Sequence, residues 1–391
     1  MKSAARRTSK STARRRICFV SGTRAEFGLM RSVLEAIRAH AKLELQLIVT
    51  GMHLDRSRGR SIDQIRDEGF RIDAIVPWAE KDLSARATAV ATGKAIAHLA
   101  DEFARLGSDI VLVAGDRVEP FAAASAAHIS SRIVAHVHGG DRALGIVDDS
   151  LRHAITKLAH VHFPATRTSA LRIARLGEDP WRIIRAGSPG LDGITRLASS
   201  ASEIAREMPE LGDESFAVLV VHPQSSDEGE QHELARKLAT LCAAKFAQVV
   251  IVYPNNDPGS AGITRTWDAM DKNRKFILRR NLSRSLFLGL LRDATVLVGN
   301  SSSGIIEAAS FGTPVIDVGT RQAGRERGKN VFHVPKAGPE IDRLLAKIQN
   351  RDLPMRFGTH NLYAGRNAGK TIAQALARIP LDRFRTKLIA Y

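Results

Sequence analysis

Residues 294–318, ATVLVGNSSSGIIEAASFGTPVIDV, decide the fold. Two apolar runs, Ala294–Val298 and Pro314–Val318, bracket a loop of small and hydroxylated residues that leads into a helical segment carrying Glu307. A short apolar run closed by Gly or Pro reads as a strand buried on both faces. Strands of that kind belong to parallel sheets, whose crossover helices cover both sides. The stretch is therefore a strand–loop–helix–strand unit.

The same unit recurs in both directions. Upstream lie apolar runs at Phe216–Val221 and Gln248–Val252, with helices between. Before a loop region at Leu191–Gly212, a first series runs Ile17–Val20, Leu43–Val49, Asp109–Val113 and Ile133–Val137, with helical patterns near Gly28–His40 and Pro120–Ser130. At 391 residues the chain is too long for one typical domain and suits two. The expected fold is α/β with two Rossmann-like domains. Residues 1–16 form a disordered basic tail, 17–190 the first domain, 191–375 the second, and 376–391 a C-terminal extension.

The composition is that of a soluble globular protein, with 44% hydrophobic and 25% charged residues. No apolar run approaches the roughly 20 residues needed to span a bilayer. The net charge is +17; the first sixteen residues hold seven basic side chains and no acid, and the remainder still carries about +10. That balance suits an anionic ligand. The tail lacks the apolar stretch of a secretory signal and reads as a solvated segment, with weak contact to an anionic surface as the alternative. No basic patch interleaved with aromatics points to nucleic acid. Cys18 and Cys242 have no metal-type spacing and read as small core residues of a cytoplasmic protein.

Ligands of open parallel sheets bind at the carboxyl ends of strands. Five segments stand there. SGTRAEFG (21–28) follows the first strand: Gly28 lets backbone approach a ligand, and Arg24 can pair with a phosphate, although a plain turn with a surface Arg fits equally. Gly115-Asp116-Arg117 sets an acid beside a base, as catalysis or a structural ion pair would. HVHGGD (136–141) delivers Asp141, and DDSLRH (148–153) opens a helix with Asp148 and Asp149, where Asp149 or Ser150 could be its cap. His136 and His138 share a strand face, but no third metal ligand is evident, and no metal or cofactor is expected. His222-Pro223-Gln224 and Tyr253-Pro254-Asn255-Asn256-Asp257 are polar loop tips where a second domain would hold a nucleotide. GNSSSGIIE (299–307) is the strongest segment. Hydroxyls and helix amides there can hold a diphosphate, Glu307 can reach ribose hydroxyls, and the next strand ends at Arg321. AGRNAGKT (364–371) mimics a P-loop, yet it has neither a preceding strand nor a following domain.

Together the motifs resemble the hydrolysing UDP-N-acetylglucosamine 2-epimerases. The resemblance rests on SGTRAEFG, VTGMHL (49–54), GDR, HGGD (138–141), DDSLRHAITKLAHVHF (148–163), AGSPGLD (186–192), HP (222–223), PNNDPGS (254–260), GNSSSGIIEA, FGTPVIDVGTRQAGRERGKNVFHV (311–334) and YAGRNAGKTI (363–372), in order over residues 17–375. It implies a GT-B-like fold whose parallel sheets face each other across a cleft, with sugar chemistry on the first domain and UDP on the second. By matching position, Arg24, Gly28, Arg117, His222, Asn255, Ser301, Ser302, Glu307 and Arg321 would hold UDP. Asp116, Asp141, Asp148 and Asp149 would stand near the sugar, and Arg152 would counter their charge or touch phosphate.

The implied reaction is elimination of UDP to a glycal followed by hydration, giving N-acetylmannosamine. It needs acid/base groups on two faces of the sugar. The family usually has Glu where this chain has Asp141, one methylene shorter, and a shift of about 1 Å in a catalytic group can cost on the order of a hundredfold. A modified UDP- or GDP-sugar, such as a 2,4-diacetamido-trideoxyhexose, is the alternative substrate. A non-hydrolysing epimerase, a glycosyltransferase of the same fold, or a non-catalytic nucleotide-sugar sensor are the alternative functions. The expected partners are the nucleotide sugar and further copies of the chain, as dimer or tetramer, with no nucleic acid and no membrane.

Overall fold

The computed structural model describes residues 14–54, 61–78, 84–143, 147–255, 257–388 and 390. The first lobe holds strands β1 (Arg15–Ser21), β2 (Leu43–Val49), β3 (Ala74–Ile75), β4 (Ile110–Ala114), β5 (Ile133–Val137) and β6 (Val161–Phe163). The second holds β7 (Phe216–Val220), β8 (Gln248–Val252), β9 (Phe276–Arg279), β10 (Val296–Gly299), β11 (Val315–Val318) and β12 (Val331–Val334). The strand orders are β3-β2-β1-β4-β5-β6 and β12-β11-β10-β7-β8-β9. Every pairing is parallel. Alternate residues of one strand feed opposite cores: Ile17 and Phe19 pack on one face of the first sheet, and Cys18 and Val20 on the other. Burial pushes the Cys18 and Cys242 thiols up to about 12, which leaves them inert.

In each sheet the connections leave in opposite directions at one point, between β1 and β4 and between β7 and β10. Such switch points open a crevice at the strands' carboxyl ends. The loops carrying Arg24, Asp116, His222 and Ser301 all leave strands that flank these crevices.

The chain crosses between lobes twice. The crossings at 186–192 and 363–369 abut backbone to backbone: a Cβ on Gly187, which has φ +86, would stand 2.4 Å from Gly365 N. The helix Ala368–Arg378 then joins the first lobe, where Ala368, Ile372, Ala373 and Leu376 enter the core around β1 and β2. Residues 368–375, assigned to the second domain on sequence, thus pack with the first, because the apolar stripe of their helix faces the helix Arg24–Ala39. The P-loop-like AGRNAGKT starts this helix, but its end is already filled. Asp192 accepts from Ala368 N at 2.8 Å and Gly369 N at 2.7 Å, and Asn367 accepts from Lys370 N. Beyond it, Arg182 donates to the carbonyls of Phe384 and Thr386, and Lys387 pairs with the buried Glu178, fastening the C-terminal extension under β6. No helix among the described residues is long and apolar enough to cross a membrane.

Candidate active site between the lobes

A cavity of about 800 Å³ lies between the two sets of loops. Arg24, Gly28, Asp116, Arg117, Asp141, Asp148, Arg152, His222, Asn255, Ser301, Ser302, Glu307 and Arg321 all line it. Residues singled out on sequence from both halves of the chain thus share one space, of the size of small-molecule sites. Asp149 does not line it. One step along a helix turns a side chain about 100°, so when Asp148 faces the cavity its neighbour cannot. Asp149 instead accepts from Ala143 N at 2.9 Å and pairs with Arg152 and His153.

On the second-lobe side, Gly299 brings β10 against β7: a Cβ there would stand 1.9 Å from Val220 O. Asn300 and His222 then exchange bonds, His222 N to Asn300 Oδ1 at 2.7 Å and Asn300 Nδ2 to His222 O at 2.8 Å, locking the two loops together. Ser301 caps the short helix Ser302–Ile306 and accepts from Ser303 Oγ at 2.9 Å. Burial, with Arg321 adding, depresses His222 to about 3, so its ring is neutral. Its Nδ1 accepts a long bond from Asn255 N at 3.5 Å, which leaves the proton on Nε2. Glu307 pairs with Arg284 at 2.7 Å, and Arg284 also donates to Gly190 O at the first crossing. Arg24 hydrogen-bonds Asn281 across the cleft.

On the first-lobe side, the three lining aspartates singled out on sequence have different surroundings. Asp116 pairs with the buried Arg152. Asp141 is 3% exposed; Ser169 donates to Oδ1 at 2.7 Å, and His138 Nδ1 and Arg325 Nη1 lie 3.1 and 3.3 Å from Oδ2. Burial opposes its ionisation, but the hydrogen bond and charge of His138, then the charge on Arg325 and the hydrogen bond from Ser169, prevail, holding the carboxyl below its usual range. Asp148 is shifted the other way. Burial raises it, and Arg117 and Arg321 only partly offset that while Asp257 adds to it.

Of the lining residues that were not singled out as site residues on sequence, four bear on the chemistry. His138, weighed there only as a metal ligand, links Asp141 to Ser188 Oγ at 3.0 Å from Nε2. The connectivity is that of a nucleophilic triad, but Ser188 is wholly buried at the chain crossing and does not line the cavity, so it serves as framework. Arg284, which opens the helix Arg284–Asp293, and Arg325 gave no local signal beyond the basic character of their surroundings. Glu26, half-buried with its carboxyl shielded beside Gly22 and Glu119, is pushed up to about 8 by desolvation, with Glu119 adding, and is neutral near pH 7. Among the described residues no His, Cys, Asp and Glu group has metal-site geometry.

The family profile described as UDP-N-acetylglucosamine 2-epimerase matches residues 35–377. The UDP-N,N'-diacetylbacillosamine 2-epimerase (hydrolyzing) of Legionella pneumophila is 34% identical over 94% of this chain and 97% of its own. The UDP-N-acetylglucosamine 2-epimerase of Neisseria meningitidis serogroup B is 35% identical over 82% and 83%. In fold, the chain is similar to the crystal structure of UDP-GlcNAc 2-epimerase from Neisseria meningitidis bound to UDP-GlcNAc, with TM-score 0.76 at 20% identity over 92% of this chain and 99% of that one. The two-lobed GT-B-like architecture is shared.

Proposed function

The chain belongs to the UDP-N-acetylglucosamine 2-epimerase family, and from that premise we propose that it is a hydrolysing 2-epimerase, converting UDP-N-acetylglucosamine and water to N-acetylmannosamine and UDP. One observation carries the reading: a single cavity sets Ser301, Ser302, His222 and Arg321 of the second lobe opposite Asp116, Asp141 and Asp148 of the first. In this reading helix-end amides, serine hydroxyls and the guanidinium groups of Arg24, Arg117 and Arg321 take the diphosphate. The neutral His222 donates through Nε2 as charge builds on the leaving oxygen.

The proton on sugar carbon 2 passes to a carboxylate while the bond from carbon 1 to oxygen breaks and its electron pair leaves with UDP. Water then supplies hydroxyl to carbon 1 of the glycal, and a proton returns to carbon 2 on the opposite face. The aspartates' opposed environments divide these tasks. Asp141 is the ionised group: three of its roughly four lone-pair sites are filled, leaving one toward the sugar. Asp148 is the readier to hold a proton.

The test is proton NMR of the enzyme with UDP-N-acetylglucosamine in deuterated water. The expected outcome is free N-acetylmannosamine with deuterium at carbon 2, and one UDP per sugar. An epimerised sugar that keeps its UDP, or an unlabelled product, overturns the reading. The Legionella relative favours a second substrate for the same chemistry, a UDP-2,4-diacetamido-trideoxyhexose. The shorter Asp141 is compatible with a sugar seated differently. A kcat/KM at least about tenfold higher on one of the two sugars assigns it.

A further inference from the structure

Asp141 belongs to the first lobe; besides His138 of that lobe, 3.1 Å away, its carboxylate meets a guanidinium from the second. Arg325 lies on the loop between β11 and β12, with its side chain 9% exposed. The next residue, Glu326, reaches Thr166 of the first lobe. Thr166 caps the helix Arg167–Arg175, whose Ser169 holds Asp141. Tyr363 donates its hydroxyl to Glu326 O at 3.0 Å and accepts from Ser188 N at 2.8 Å. Ser188 in turn holds His138, and His138 holds Asp141. These bonds close a ring around one carboxylate, and both chain crossings contribute to it.

We propose that Arg325 is a positioning residue for the reaction: reaching across from the second lobe, it keeps Asp141 ionised and oriented, so that the carboxylate is complete only when both lobes are docked. The inference rests on the cavity being a 2-epimerase site and adds a residue to it. A carboxylate this buried needs a charged partner. The charged and titratable groups around it are His136, His138, Arg152, Arg172 and Tyr363. His136 is buried and neutral. Arg152 is committed to Asp116 and Asp149 and touches only the Asp141 backbone carbonyl. Arg172 donates to Gly140 O. Among the described residues, Arg325 is the one guanidinium in ion-pair contact with the Asp141 carboxylate.

The test compares wild type with Arg325→Met and Arg325→Lys. Release of UDP from the UDP-sugar is followed from pH 5 to 9, UDP affinity is measured by calorimetry, and the carboxyl band of Asp141, assigned with Asp141→Asn, is titrated by infrared spectroscopy. In Arg325→Met, kcat falls about tenfold or more and the acid limb of its pH profile moves up by about one pH unit, because a carboxylate without its cation ionises later. KM and UDP affinity stay within about threefold. Arg325→Lys keeps the charge and returns the limb most of the way. An unmoved limb with a tenfold loss of UDP affinity would make Arg325 a diphosphate ligand and overturn the proposal, as would unchanged kcat. If wild type turns over neither sugar, the reading of the reaction fails separately. The infrared titration still decides on Arg325: a higher Asp141 midpoint in Arg325→Met supports it, and identical midpoints overturn it. Should Arg325→Met not fold, Arg325→Lys decides by the same readings, with the limb and midpoint displaced upward by a smaller amount.

Discussion

Asp257→Asn separates the charge that holds the lobes together from the charge available to a nucleotide. Asp257, on the loop after β8, lies 2.8 Å from Arg117 of the first lobe and 3.9 Å from Arg321. Burial opposes its ionisation, but Arg117 and then Arg321 hold the carboxyl down at about 2, against an ordinary 3.8. A depression of that size is worth about 2 kcal/mol. Solvent trims it, since both side chains of the Arg117 pair are about a fifth exposed. Burial keeps the Arg321 guanidinium below its ordinary range, so the contribution belongs mainly to Arg117. The sign follows from the lowered carboxyl: the stabilisation is fully present above about pH 4 and is lost as pH falls through 2. Urea unfolding of Asp257→Asn at pH 7 should therefore show a loss of about 1–2 kcal/mol, the same from pH 5 to 8. UDP affinity should move the other way. The carboxylate draws on the same two guanidinium groups that would meet a diphosphate, so its removal should tighten UDP about three- to tenfold by calorimetry. Weaker UDP binding in the variant would refute the reasoning, because Asp257 would then be orienting the arginines for the nucleotide.

Three further perturbations follow from the same geometry. His136, His160 and His222 are depressed to about 3 and His53 to about 4, each by burial first. Below pH 6.5 the unfolded chain therefore binds more protons, and stability falls toward acid by about 2 kcal/mol per histidine at pH 5. Scanning calorimetry should show Tm lower by roughly 10 °C or more at pH 5 than at pH 7, and equal values would contradict the burial of these rings. Gly365→Ala would put a Cβ 1.9 Å from Ala186 O, a backbone atom that cannot yield. A loss of about 3 kcal/mol or more is expected in urea, against no change for Gly358→Ala, where a Cβ meets nothing within 4 Å. Asp192→Ala strips the acceptor from Ala368 N and Gly369 N. It should cost about 2 kcal/mol by the same assay, with Asp192→Asn recovering part of it.

The strands readable from apolar runs, β1, β2, β4, β5, β7, β8, β10 and β11, occupy the interior of the two sheets, and the four that escaped, β3, β6, β9 and β12, are their edges. An interior strand is covered on both faces and so is mostly apolar, which is the pattern a sequence displays. β3 has two residues, and β12 is mostly half-buried, so neither carries that pattern. β6 is fully buried, and the chain that packs beneath it lies some two hundred residues away. The site divides on the same line. Loops that leave interior strands were legible because a parallel sheet aims all its carboxyl ends at one crevice. Partners set by lobe docking were not: Asp141 and Arg325 are 184 residues apart, and Arg117 and Asp257 are 140 apart, and no periodicity encodes either pairing. Yet these pairings settle the electrostatics. Asp141 is lowered in part by a cation from the second lobe, and Asp148 is raised in part by Asp257 from that lobe. Two aspartates that look alike in sequence are therefore driven in opposite directions with help from groups neither lobe holds alone, so the acid–base character of the cavity belongs to the docked pair of lobes.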